Sequence, residues 1–111
     1  MGYETASTDG VGSVTDGDDG GMWMLRDALG AENLGVTVLE LEPGAGGKEH
    51  DHAGDGHGEV YVVVEGSVDV DCDDETVTLD RGEAIRLSPD QRRRIVNRGE
   101  DRARLVLAGA P

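Results

Sequence analysis

From about Met22 to the end of the chain, short apolar stretches alternate with turn residues. Leu34 to Leu41 (LGVTVLEL) is β-branched and apolar in both phases, as expected of a strand covered on both faces. Pro43-Gly44-Ala45-Gly46-Gly47 stops it. Tyr61 to Val64 is a second apolar run, turned by Glu65-Gly66 into Ser67 to Cys72. There Val68, Val70 and Cys72 share one face while Asp69 and Asp71 take the other. Asp73-Asp74-Glu75 supplies a hairpin, Val77 and Leu79 return inward, and Asp80-Arg81-Gly82 turns the chain again. Ala84 to Leu87, Arg93 to Asn97 and Ala103 to Ala108 continue the series. Met22 to Arg26 adds a strand at the front, followed at DALGAEN by a turn or a single helical turn. Evenly spaced strands with no helical period predict an all-β fold, an antiparallel sandwich or barrel.

Residues 1–21 have a different character, polar, acidic and glycine-rich, ending in DGDDGG. The expectation is a flexible acidic N-terminal arm over 1–21 and a single β domain over 22–111. An exchanged strand at a dimer edge is the alternative, with Val11 and Val14 as its packing residues.

Composition narrows the core and the compartment. There is no Phe, one Trp and two Tyr, so Val, Leu, Ile, Ala and Met must fill the interior. A single cysteine, Cys72, excludes an intrachain disulfide, and its phase with Val68 and Val70 makes it a small core residue. The N-terminus shows no basic stretch followed by an apolar one, and Val60 to Val64 is far too short to span a bilayer. A cytoplasmic location follows as the default. The net charge of −14 argues against DNA or an anionic membrane as partner. Only one of the ten basic residues is a lysine, Lys48. Abundant Asp with almost no Lys resembles the proteins of salt-accumulating microbes rather than an ordinary acidic protein.

The candidate chemistry is concentrated in HDHAGDGHGEVYVVVEG, residues 50–66, which holds every histidine of the chain. His50 and His52 are two apart, so an extended backbone projects both imidazoles from one face. The glycine-containing loop that follows can fold back and place Glu59 opposite the two rings. Two neutral imidazoles and a carboxylate suit Fe(II), Mn(II), Ni(II) or Zn(II) and leave positions open for water or substrate. Taken alone, the cluster equally describes hydrated loop histidines.

The surrounding spacing resembles the cupin family of small β-barrels. The first motif of that family runs Gly, five residues, His-x-His, a short gap, Glu, six residues, Gly. Gly44, His50, His52, Glu59 and Gly66 stand at those places. In GEAIRLSPDQRRRIVN, Gly82 and Asn97 fall where the second motif asks, and Ser67 to Arg81 separates the two motifs as in compact members. The resemblance implies a jelly-roll barrel (a double-stranded β-helix), a divalent metal ion, and a homodimer paired through barrel sheets and terminal strands. It also implies a pocket lined by Val and Leu that takes a small-molecule ligand. If the protein is an enzyme, it implies metal-dependent oxygenation or isomerisation of a small anionic substrate, with Glu59 or a bound water as proton acceptor. A non-enzymatic pocket without metal, using Arg93, Glu59 and the histidine pair, is the alternative.

Three departures from the pattern bear on the site. Ala53 to Gly58 makes the gap between His52 and Glu59 longer than is usual. Ser88-Pro89-Asp90 replaces the second motif's Pro-x-Gly, and Arg93 stands at the position of its histidine. Arginine cannot shed its charge to ligate a metal. Three arrangements remain open. Arg93 turns away or clamps an anionic substrate beside a metal held by His50, His52 and Glu59; or His57 supplies a fourth ligand; or Arg93 pairs with Glu59 and no metal binds.

Other signals carry less. Asp69-x-Asp71-x-Asp73 lacks the glycine and the terminal glutamate of a calcium loop and reads as an acidic hairpin face. Residues 92–111 hold six arginines against two acids, a net +4 that leaves −18 on the rest. Alternation sends neighbouring arginines to opposite faces with no aromatics for stacking, so pairing with acidic strands or a second subunit is expected rather than nucleic-acid binding. The charge imbalance yields a first prediction. The melting temperature rises between low and molar KCl as carboxylate repulsion is screened, and a flat or falling value in a thermal melt would contradict it.

Overall fold

The alternation described above closes into two facing antiparallel sheets. The computed structural model describes residues 2–15 and 18–111. In chain order the elements are β1 (Gly20–Met24), α1 (Arg26–Leu29), β2 (Gly35–Leu41), β3 (Gly58–Glu65), β4 (Ser67–Cys72), β5 (Glu75–Asp80), β6 (Ala84–Leu87), β7 (Arg94–Val96) and β8 (Ala103–Ala110). One sheet has the order β1-β2-β8-β3-β6 and the other β5-β4-β7. This is the expected all-β jelly roll, with α1 as the single helical turn foreseen at DALGAEN.

β1 starts at Gly20, ahead of the boundary expected at residue 22. Of the arm expected over 1–21, Met1, Asp16 and Gly17 lie outside the described residues. Residues 13–14 fold back on the chain's own first strand: Val14 N donates to Met22 O at 2.8 Å and Met22 N donates to Ser13 Oγ at 3.0 Å.

Between the sheets lies a core of aliphatic side chains, as the lack of Phe demands. Leu39, Leu41, Val63, Val68, Val70, Leu79, Leu87, Leu105 and the ring of Tyr61 are all buried there. Cys72 packs against this cluster, and burial pushes its thiol above the ordinary cysteine value. The turn between β3 and β4 requires Gly66. Its φ is 77°, and a Cβ there would lie 2.6 Å from the Arg102 carbonyl oxygen.

The two faces of the larger sheet differ from those of an ordinary surface sheet. Its outward row Trp23–Val38–Val106–Val62–Ala84 crosses all five strands in register without a polar residue. Val60 and Val64 extend this apolar face and are exposed. The smaller sheet instead turns Asp69 and Asp71 outward to meet Arg98, and that contact holds the Asp71 carboxyl down at about 2. Arg102 and Arg104 likewise reach Glu40. Arginine pairing with acidic strands is what the C-terminal cluster does.

Asn97 joins the strand system to the loop that leads into the histidines. Fully buried, its amide nitrogen donates to Leu41 O and Asp101 O, both at 2.9 Å, and its Oδ1 accepts from Gly99 N at 3.0 Å. Its carbonyl accepts the Gly44 amide at 2.8 Å. Asn97→Ala therefore strands buried polar groups and is predicted to lower stability by about 2–3 kcal/mol, read from the urea unfolding midpoint.

Candidate metal centre

Three stretches of chain build the site: residues 48–52, the loop 53–58 entering β3, and residues 89–93. His50 and Arg93 form an antiparallel bridge in which each amide donates to the other's carbonyl at 2.9 Å. His52 N donates to Pro89 O at 2.7 Å, so the segment stays extended and both imidazoles leave from one face. The amides of Asp55 and Gly56 then return to His52 O at 3.2 and 2.8 Å, folding the glycine-containing loop back toward β3. Glu59 sits near the start of that strand, two positions from the buried Tyr61 and on the same face.

The side chains converge on one oxygen. Glu59 Oε1 lies 3.1 Å from His52 Nε2, 3.9 Å from His50 Nε2 and 3.2 Å from an Arg93 terminal nitrogen (Nη2). The Tyr61 hydroxyl donates to the same atom at 3.3 Å. Burial, reinforced by the Glu59 charge, pushes that hydroxyl far above the ordinary phenol value, so it remains a donor.

Each imidazole is oriented from behind. His50 Nδ1 lies 3.0 Å from the Lys48 carbonyl oxygen and His52 Nδ1 3.0 Å from Asp55 Oδ2. Both partners can only accept, so each Nδ1 carries a proton and each Nε2 points toward Glu59, where a neutral ring would offer its lone pair to a metal. The hydrogen bond from His52 holds the Asp55 carboxyl below its usual range, so Asp55 remains a charged acceptor. With both rings neutral, two imidazole lone pairs and a carboxylate oxygen are directed at one region, the arrangement a divalent cation requires. Donor atoms of His50, His52 and Glu59 all fall within 4.8 Å of one another, a group that could hold a metal ion. Metal–nitrogen and metal–oxygen bonds near 2.0–2.1 Å place neighbouring ligand atoms about 3.0–3.4 Å apart. The His52–Glu59 spacing already has that value, and the His50–Glu59 spacing exceeds it by about half an ångström. The donor set fits a divalent ion.

His57 stands outside this group. Its ring centre is 6.3 Å from that of His52, and its Nδ1 faces Asp55 Oδ2 at 4.0 Å. Arg93 is fully buried (0% exposed), with one terminal nitrogen (Nη1) donating to Gln91 O at 2.7 Å and the other against Glu59. A cavity of about 730 Å³ opens onto His50, His52, His57 and Glu59. Its walls are largely apolar, with Met22, Leu39, Leu41, Tyr61, Ile95 and Leu107. Arg93 is not among the residues that line it. Tyr61 and Asp55 are the participants that the sequence reading missed. The signals were present, since Tyr61 shares the strand phase of Glu59, and Asp55 follows His52 by three residues.

Comparison with known proteins agrees with this architecture. A family model described as the cupin domain matches residues 37–109. A relative, the tetracenomycin polyketide synthase protein TcmJ of Streptomyces glaucescens, is 36% identical over 89 residues, covering 79% of this chain and 58% of the relative. The chain thus spans less than two thirds of that protein's length. Among solved structures, a cupin-superfamily sugar phosphate isomerase from Silicibacter pomeroyi superposes with a TM-score of 0.78 at 23% identity, over 96% of this chain and 75% of that one. A cupin protein from Bacteroides fragilis gives 0.78 at 22%, over 99% and 85%. At such identities the likeness is one of fold. The match over 37–109 takes in both sheets and both stretches that carry the converging side chains, and the chain therefore belongs to the cupin domain family.

Proposed function

We propose that this cupin holds a divalent metal ion through His50, His52 and Glu59 and acts on a small, carbon-rich ligand that turns an anionic oxygen toward the metal. The observation carrying this reading is the shared orientation of the two imidazoles. Lys48 O and Asp55 hold both Nδ1 atoms, so that both Nε2 atoms point to the Glu59 carboxylate. A bound ion would supply Lewis acidity, or open coordination positions for oxygen, suited to isomerisation or oxygenation. The chain's own part is to orient and to exclude water. Asp55 sets the His52 ring, the Tyr61 hydroxyl stays protonated and donates to Glu59, and Leu39, Leu41, Ile95 and Leu107 wall off the ligand. A relative whose name places it with a polyketide synthase supports a carbon-rich ligand.

The Arg93–Glu59 contact favours a second reading, a metal-free binding pocket. Elemental analysis of protein purified without an affinity tag separates the two. About one metal ion per chain, lost in His50→Ala and weakened about 10–100-fold in Asp55→Ala, supports the metal centre. Metal in neither wild type nor variant establishes the pocket reading instead.

We infer also that two copies pair through the outer face of the five-stranded sheet. The row from Trp23 to Ala84 spans about 19 Å, four strand spacings, without a charge. Two copies of a strongly acidic chain can meet along this row with no carboxylate in it. Sedimentation analysis is expected to show a dimer that Val62→Lys converts to a monomer. A monomeric wild type would overturn the inference.

A further inference from the structure

Residue 93 occupies the place from which a fourth ligand would reach the centre. It is the direct cross-strand partner of His50, in a pair closed by two hydrogen bonds, and side chains of such a pair project to the same side. An arginine there cannot coordinate. Its guanidinium instead touches the one carboxylate of the triad, with Nη2 3.2 Å from Glu59 Oε1.

That contact is electrostatic more than directional. Nη2 and Nε of Arg93 are buried without an aligned hydrogen-bond partner among the described residues, while Nη1 is fixed on the Gln91 carbonyl. The side chain is 0% exposed and has no solvent to withdraw into. The oxygen that faces Arg93 is the same oxygen that faces His50 and His52. Tyr61 draws on it further through its hydroxyl. A metal bound by the triad therefore shares its only anionic ligand atom with a permanent cation.

Charge counting gives the consequence. A divalent ion, Glu59 and Arg93 together carry +2 in a partly buried site, one unit more than the same site with a neutral residue at 93. Like charges at close range are costly where water is scarce. An anion entering from the cavity removes the excess.

We propose that Arg93 and the metal compete for Glu59, so that the centre binds its metal tightly only together with an oxyanion, a carboxylate or an enolate. The inference rests on the metal reading above and deepens it. It makes the anionic group of the ligand part of the metal site and assigns to Arg93 the selection of ligands that carry one. Arg93 is here a positioning and charge-setting residue, since it does not line the cavity.

Calorimetric titration of untagged, chelator-treated protein with Ni(II), in a non-coordinating sulfonate buffer with and without formate, tests this. Formate is chosen because it barely chelates free metal. In wild type, formate is expected to tighten Ni(II) binding about tenfold. Arg93→Lys, which keeps the charge, retains that linkage. Arg93→Gln binds Ni(II) more tightly than wild type without formate and responds to it less than about twofold. Arg93→His, offering a fourth ligand, binds about a hundredfold more tightly than wild type and independently of formate. Thermal melts of each variant confirm that it is folded, and Arg93→Lys and Arg93→His stand in if Arg93→Gln is not. Equal affinities in wild type and the folded variants, unchanged by formate, would overturn the competition while leaving the metal reading intact. Failure of wild type and Arg93→His alike to bind Ni(II) would overturn both.

Discussion

A single carboxylate oxygen organises this site. Glu59 Oε1 faces two imidazole nitrogens, a tyrosine hydroxyl and a buried guanidinium. A carboxylate held away from bulk water needs positive charge or donors beside it, and here a resident arginine and a metal ion would each supply that charge. Both would act on the same atom. The rest of the barrel can be understood as the frame that holds these groups at that distance.

That frame is made mostly of backbone. The segment carrying His50 and His52 belongs to neither sheet, yet it is pinned along its length. Gly44 N reaches Asn97 O, Gly47 N reaches Ile95 O, His50 and Arg93 exchange two bonds, and His52 N reaches Pro89 O. Each bond fixes the phase of the alternation, and with it the side on which the imidazoles emerge. Asn97 anchors the far end by tying Leu41 to the turn that follows β7. The loop 53–58 then has one task, to reverse the chain so that β3 begins with Glu59 facing inward. The Asp55 carboxylate serves that loop and the site together, accepting from the His57 amide with one oxygen and from the His52 ring with the other.

Away from the site the chain divides its surface by sheet. Acidic side chains on the three-stranded sheet are matched by arginine, whose planar fork suits paired carboxylates such as Asp69 and Asp71. The five-stranded sheet has one face in the core and an outward face crossed by the uncharged row from Trp23 to Ala84, flanked by Glu40, Arg104 and Arg86.

The strands were legible because alternation, turn residues and β-branched runs act locally. Ser67–Cys72 and Ala84–Leu87 have the bounds that the pattern indicated, while β3 is longer than its apolar run (Gly58–Glu65) and β7 shorter than expected (Arg94–Val96). The triad was legible for the same reason, since two histidines of one phase and a glutamate at the next strand's start follow from a period of two. What the chain's order could not convey is which groups oppose one another across segments far apart in sequence. That Arg93 lies beside His50, is wholly buried and directs its charge at Glu59 depends on the register between residues 46–52 and 89–96, which is fixed by long-range backbone bonds. Tyr61 and Asp55 took on their roles in the same way, because a hydrogen bond needs a partner's position as well as a residue's identity. The sequence by itself determined the elements and the ligand types. Only the tertiary structure decided that a permanent cation and a group able to hold a metal share one oxygen, because distance between side chains is set by packing and not by spacing along the chain.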